Sequence, residues 1–373
     1  MFFKKVNEQM RMDNPVKWYI LSIVRAIIIG LLTVAIFVGG FLLIATLAEY
    51  KPAEREEITV AGVAESLPAD KTELTVLTWN LGYAALGEEA DFFMDGGASV
   101  RAGSQEQVET NLDAIVNVLR ETDADVSLLQ EVDRDSSRSF RVNEVERLQS
   151  EFPAQELLFA NNYKFFWIPF PLPTTIGKVD AGLVTLSKHK VETAERIALA
   201  CPFSWPMRTM NMKRCLLVTR VALPDTEKEL VLINLHMEAY DDGTGRAAQM
   251  AELKEVMDAE AAKGNYVLAG GDFNEMFSTV TGDPYPAQPN TWIAPLLDVR
   301  PYTDDWQFLM DPSVPTCRLL NQPYKDADKE SFQYYMLDGF IVSNNLEVES
   351  LETKDLGFVN SDHNPVVLKV RLS

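Results

Sequence analysis

Along this chain, short apolar runs that stop abruptly at polar residues alternate with stretches of helical periodicity. Residues 74–79 alternate with period two, which predicts a strand delivering Asn80 at its end. Between residues 111 and 120 the apolar positions Leu112, Ile115, Val116 and Leu119 share one helical face, and 126–129 then reads as a strand ending in Gln130 and Glu131. The pattern recurs. The run 230–233 leads to Asn234 and His236, residues 246 to about 262 read as a helix closed by Gly264, and 266–269 leads to Asp272. Asp241 to Gly245 reads as a turn and helix start, since the spacing of an EF-hand is missing. Residues 336–342 predict a strand containing Asp338, and 366–370 a closing strand directly after Ser361-Asp362-His363.

No repeat or low-complexity linker divides this region, so one α/β domain is expected over 74–373. Two segments lack periodicity: the glycine-rich stretch 82–103 and the Pro- and Asp-rich stretch 281–329. Loops of that length beside a site are often functional; decoration without a role is the competing reading.

One further run changes the picture. Residues 26–48 are 23 consecutive uncharged positions, about 34 Å long as a helix, which suffices to span a bilayer. A cleaved signal peptide has a shorter apolar region, roughly 7–15 residues. Lys4, Lys5, Arg11, Lys17 and Arg25 precede the span, while Glu49, Glu54, Glu56 and Glu57 follow it. The expected organisation is a cytoplasmic segment 1–25, a single transmembrane helix 26–48, a tether 49–73, and a catalytic domain outside the cytoplasm.

Charge narrows the partners. The chain has 34 basic and 55 acidic residues; five and two of these lie in 1–48, leaving 29 and 53 for the remainder. Such a surface repels long polyanions, whose binding draws on Lys and Arg. The three cysteines, Cys201, Cys215 and Cys317, have no CxxC spacing, so a structural zinc site or disulfide framework is not expected.

The polar strand ends carry the candidate chemistry. Hydrolysis of a phosphate ester needs charge neutralisation at the phosphoryl oxygens, an oriented water and help for the leaving group. Carboxylates and amides that hold Mg²⁺, with an aspartate–histidine pair, supply all three. Glu131 is the best candidate ligand. In an extended segment Asp272 and Asn274 would point to one side, with Phe273 packing on the other. Each string is weak alone, because an Asp/Asn pair after a strand is commonly a turn.

Taken together, Trp79-Asn80, Gln130-Glu131-Val132, Asn234-Leu235-His236, Gly271-Asp272-Phe273-Asn274, Leu337-Asp338 and Ser361-Asp362-His363 resemble, in order and spacing, the endonuclease/exonuclease/phosphatase superfamily. The resemblance covers roughly 74–371. It implies a four-layer sandwich, two mixed sheets face to face with helices outside and the site at one rim. It makes Glu131 the principal Mg²⁺ ligand, with Mn²⁺ as an alternative ion, and sets Asn80 and Asp362 near metal or phosphate. Asp272 would position or deprotonate water, Asn234, Asn274, Asn80 and His236 would hold phosphate, and Asp338 would orient His363. Leu235 and Met237 depart from the residues usual around that first histidine, and the long loop after Asn80 is not a general family feature.

The expected function is a membrane-anchored, Mg²⁺-dependent phosphoesterase acting on a lipid head group or small phosphoester. A nuclease is the runner-up, and a catalytically silent binding protein of the same fold is the reading from a different class. No protein partner is implied.

Overall fold

The computed structural model describes residues 2–289, 291–302 and 304–372. It divides into two compact units. The first contains a helix Phe2–Asp13, then Asn14, whose side chain accepts from the Lys17 N–H and caps a 33-residue helix Pro15–Leu47. That helix has a mean hydropathy of 2.9 in its most apolar window and is long and apolar enough to cross a membrane. It begins well before the expected span of 26–48, because the Asn14-Pro15 start signal lies upstream of the uncharged run.

The second unit is built on two mixed sheets. One orders Arg55–Ile58, Thr193–Ala198, Cys215–Ala222, Glu229–His236, Tyr266–Asp272, Asp338–Ser343 and Trp306–Leu309. The other orders Leu346–Thr353, Val366–Leu372, Glu73–Asn80, Val126–Asp133, Gly177–Ser187 and Glu156–Ile168. All neighbours are antiparallel except Glu73–Asn80 with Val126–Asp133 and Glu229–His236 with Tyr266–Asp272. Those two parallel pairs each require a crossover, and helices Gln105–Thr122 and Thr244–Ala261 provide it.

The inner sheet faces share a core that includes Val76, Leu128, Leu183, Leu217, Leu232, Leu268 and Phe340. At Gly270 a Cβ would lie 2.6 Å from the ring of its cross-strand partner Phe340 and 3.0 Å from Leu128 of the facing sheet, so only glycine fits there. Leu112, Ile115, Val116 and Leu119 cover the outside of one sheet, and Met250, Leu253 and Met257 the outside of the other. The result is the expected helix–sheet–sheet–helix sandwich.

The stretch expected as a tether is not free chain. Arg55–Ile58 pairs with Thr193–Ala198 as an edge strand, Leu67 is buried in the inter-sheet core, and Glu156 accepts from the Gly62 and Ala64 N–H groups. A four-residue strand with one apolar position carries no periodic signal, which is why the sequence pattern does not reveal it.

Candidate active site

The parallel pairs end at one rim, and their last residues supply the site. Register places Asn80 beside Gln130 and His236 beside Asp272, while Asp338 opens its strand opposite Asp272. The turn at Ser361–His363 hangs from the end of Glu73–Asn80 through a bond from Ser361 Oγ to the Asn80 carbonyl (2.8 Å). Glu131 sits at a bulge between Leu129 and Val132 with φ of 55°, a left-handed conformation that swings its side chain out of the strand's alternation.

Asp338 Oδ2 lies 2.8 Å from His363 Nδ1. The far ring nitrogen, Nε2, is 3.8 Å from Asp272 Oδ2 and 3.5 Å from Asn80 Nδ2. Asn80 Nδ2 in turn donates to Asp272 Oδ2 (3.1 Å), and Asn80 Oδ1 accepts from the Gly82 N–H (3.0 Å), so its amide is held at both ends. His236 Nε2 is 3.5 Å from Asp272, and its Nδ1 is 3.8 Å from Glu131 and buried without a hydrogen-bond partner.

The two histidines are driven in opposite directions. Burial disfavours the His363 imidazolium, but the hydrogen-bonded charge of Asp338 outweighs it and holds the pKa well above the usual value. Burial, with the charges of Arg214 and His363, pushes His236 well below it. The surroundings favour the charged ring at His363 and the neutral ring at His236, the kind of split that accompanies acid–base roles. Asp272 is pushed up to about 6 by burial and then by the charge of Asp338, with His363 opposing.

Glu131 is raised to about 7 by burial and next by the charge of Asp362, which burial also raises. Asp362 Oδ1 is buried and has no hydrogen-bond partner. Glu131, which feels the charge of Asp362, and Asp362, with one buried oxygen that has no hydrogen-bond partner, are oxygen donors of the kind a hard divalent cation takes.

The model of the endonuclease/exonuclease/phosphatase family matches residues 77–363. The chain belongs to this family. Among solved structures, a family protein from Beutenbergia cavernae is similar over 81% of this chain and 72% of its own, at 18% identity and a TM-score of 0.54. A family protein from Bacteroides vulgatus aligns with 81% of this chain and 100% of its own, at 17% identity and a TM-score of 0.48. TDP2 from D. rerio, complexed with a single strand DNA product, aligns over 81% and 100%, at 14% identity and a TM-score of 0.48. These likenesses concern the fold alone. No curated protein matches the chain. Family members are generally hydrolases of phosphoester bonds and commonly use divalent metals.

Of the family positions expected at the site, Asn80, Glu131, His236, Asp272, Asn274, Asp338, Asp362 and His363 converge. Asn234 does not. Its Oδ1 accepts from Gln130 (2.8 Å), its Nδ2 donates to the Leu129 and Val184 carbonyls, and it is fully buried between the sheets. Its amide satisfies a polar core and has nothing left for a substrate, so the expected phosphate contact is corrected. Asn274 also departs from the extended geometry: φ is 52°, its N–H returns to Asp272 Oδ1 (2.9 Å) and its Nδ2 donates to the Met237 carbonyl (3.0 Å). The string is an Asx turn that orients Asp272.

Cys317 and Asp272 each fall in a compact group with His363. Burial pushes the Cys317 thiol up to about 12, so it stands as a neutral thiol beside Asp362 and His363. Sequence reasoning missed Arg214, a buried guanidinium whose Nε and Nη1 have no hydrogen-bond partner and whose nearest acid is Glu238 at 3.6 Å. It also missed Arg138, stacked 3.1 Å over the Tyr83 ring and paired with Asp133 (2.9 Å). Neither lies in a motif string. The Arg246–Gln249 pair holds the segment after His236: Arg246 donates to the Glu238 carbonyl and Gln249 accepts from the Glu238 N–H.

Proposed function

We propose that the chain is a divalent-metal-dependent phosphoesterase whose substrate is a compact phosphoester, free or on a lipid head group. The observation that carries this reading is the Asp338–His363–Asp272 chain of contacts beside the Glu131–Asp362 pair.

Glu131 and Asp362, with Asn80 adjacent, would hold Mg²⁺ or Mn²⁺. When bound, the ion supplies charge neutralisation at the phosphoryl oxygens. Asp272, fixed by the Asn80 amide and the Asn274 N–H, accepts the proton of the attacking water as its oxygen bonds to phosphorus, the ester P–O bond breaks, and the departing oxygen takes up a proton from solvent. The His363 imidazolium, kept charged by Asp338, donates to a phosphoryl oxygen as negative charge builds there. Neutral His236 lies between Glu131 and Asp272 and presents a hydrogen-bond group to the phosphate. Phosphate positioning by Asn274 is limited to what its remaining amide hydrogen and Oδ1 can offer.

The excess of 53 acidic over 29 basic residues after residue 48 supports a compact substrate over long nucleic acid. The test is hydrolysis by the full chain, with Mg²⁺, of bis-p-nitrophenyl phosphate, a lipid phosphodiester and single-stranded DNA at one ionic strength. Higher kcat/KM on DNA, falling steeply with salt, would reverse the substrate ranking.

The apolar helix would anchor the protein, with the basic flank in the cytoplasm and the catalytic domain outside. Protease added to intact cells should then release a soluble fragment. Protection of that fragment until the membrane is permeabilised would overturn the orientation.

A further inference from the structure

The two segments without periodicity meet beside the candidate site. Arg318 joins them: its buried guanidinium donates to the Gly87 carbonyl (2.7 Å) and to those of Leu86 and Ala90, while its backbone N–H donates to the Asp362 carbonyl (3.1 Å). The Phe92 N–H donates to the Leu320 carbonyl (2.7 Å). On the other flank the Phe93 ring packs edge-on to Phe170 at 5.6 Å, and Arg101 donates to the Thr175 carbonyl (2.8 Å).

Held in this way, residues 91–99 form a closed turn. Asp91 accepts from the Ala98 and Ser99 N–H groups, and Gly96 turns the chain with φ of 98°. Gly97 packs so closely that a Cβ would lie 2.7 Å from the Phe92 nitrogen. The turn carries Asp95. From the segment after His236, Tyr240 donates its hydroxyl to Asp95 Oδ1 at 3.4 Å, although the two are 145 residues apart. Asp95 thus links the segment that follows His236 to a turn tied to Leu320, two residues from Arg318 and its bond to the Asp362 carbonyl, which sets this contact on the Asp362 side of the candidate site. Among the described residues no Lys or Arg forms an ion pair with Asp95.

A carboxylate beyond those the hydrolysis needs, in no such ion pair although the charge of Arg318 acts on it, bears on whatever the substrate carries next to the scissile phosphate. It repels a second phosphate and accepts a hydrogen bond from a hydroxyl or ammonium group. We propose that Asp95, held by Tyr240, is a specificity-determining residue that selects phosphoesters whose remaining group is neutral or cationic and excludes those bearing a second phosphate. The inference rests on the phosphoesterase reading above.

The test uses a matched pair of substrates, thymidine 5′-(p-nitrophenyl phosphate) and the same ester with a 3′-phosphate, with the full chain in detergent micelles and Mg²⁺. The readout is the ratio of kcat/KM, bisphosphate over monophosphate. Asp95→Asn should raise this ratio by about tenfold or more, Asp95→Glu should keep it near the wild-type value, and Tyr240→Phe should raise it in part. An unchanged ratio in Asp95→Asn, or an equal change in Asp95→Asn and Asp95→Glu, overturns the proposal. If Asp95→Asn does not fold, Tyr240→Phe decides, and a flat ratio there overturns it. Wild-type activity with a flat ratio across the variants sinks this inference alone. A wild-type chain that hydrolyses neither ester sinks the phosphoesterase reading and this inference with it.

Discussion

His363 Nδ1 lies 2.8 Å from Asp338 Oδ2, and the opposite nitrogen of the same ring faces Asp272 at 3.8 Å. The ring therefore links a buried acid that favours its charged form to Asp272, the proposed base. Asp338 is fully buried and its Oδ1 has no hydrogen-bond partner, so its energetic role is concentrated on the histidine.

Asp338→Asn should lower kcat by about 10²–10⁴, because the imidazolium loses the charge that sustains it while the ring keeps a hydrogen-bond partner. The loss should appear in kcat more than in KM, and the circular dichroism spectrum should be unchanged. Wild-type turnover in this variant would remove the pair from the mechanism.

The acid side of the pH profile should report Asp272. Burial, then the charge of Asp338, raises it to about 6 against the opposing charge of His363, and only the ionised form can accept a proton from water. Activity should rise as pH increases through about 6 and level off above. A flat kcat/KM between pH 5 and 7 would contradict this assignment.

Away from the site, Glu260 gives a stability prediction of defined sign. Arg220 donates to it at 2.7 and 2.8 Å, with Lys263 and Asn265 adding bonds, and these hold its pKa down to about 2 against burial. A depressed folded-state value contributes stability above the ordinary value of 4.5 and loses it as pH falls towards 2. Glu260→Gln should lower Tm at pH 7, with the gap to wild type closing between about pH 4.5 and 2. A gap independent of pH would assign the effect to packing.

The sandwich, and the positions that gather at the candidate site, were legible because apolar runs stop at polar residues at one rim: Asn80, His236 and Asp272 each close such a run. Other features left no local trace. Asn234 shares the face of His236 one pleat earlier, yet that pleat lies between the sheets, where Gln130 consumes its amide. Glu131 owes its reach to a bulge, and a bulge depends on pairing across strands. Arg318 organises the two long loops through backbone carbonyls more than 220 positions away, so no spacing or composition signals it.

The central claim, hydrolysis of a phosphoester by metal held at Glu131 and Asp362 with Asp272 as base, is tested most directly by turnover of bis-p-nitrophenyl phosphate. The full chain should be active with Mg²⁺, inactive in EDTA and restored by added Mg²⁺. Asp272→Ala should reduce kcat by at least about a hundredfold with no comparable loss of Tm. Glu131→Gln should shift the Mg²⁺ concentration for half-maximal rate upward. Undiminished turnover in EDTA, or in Asp272→Ala, would contradict the account.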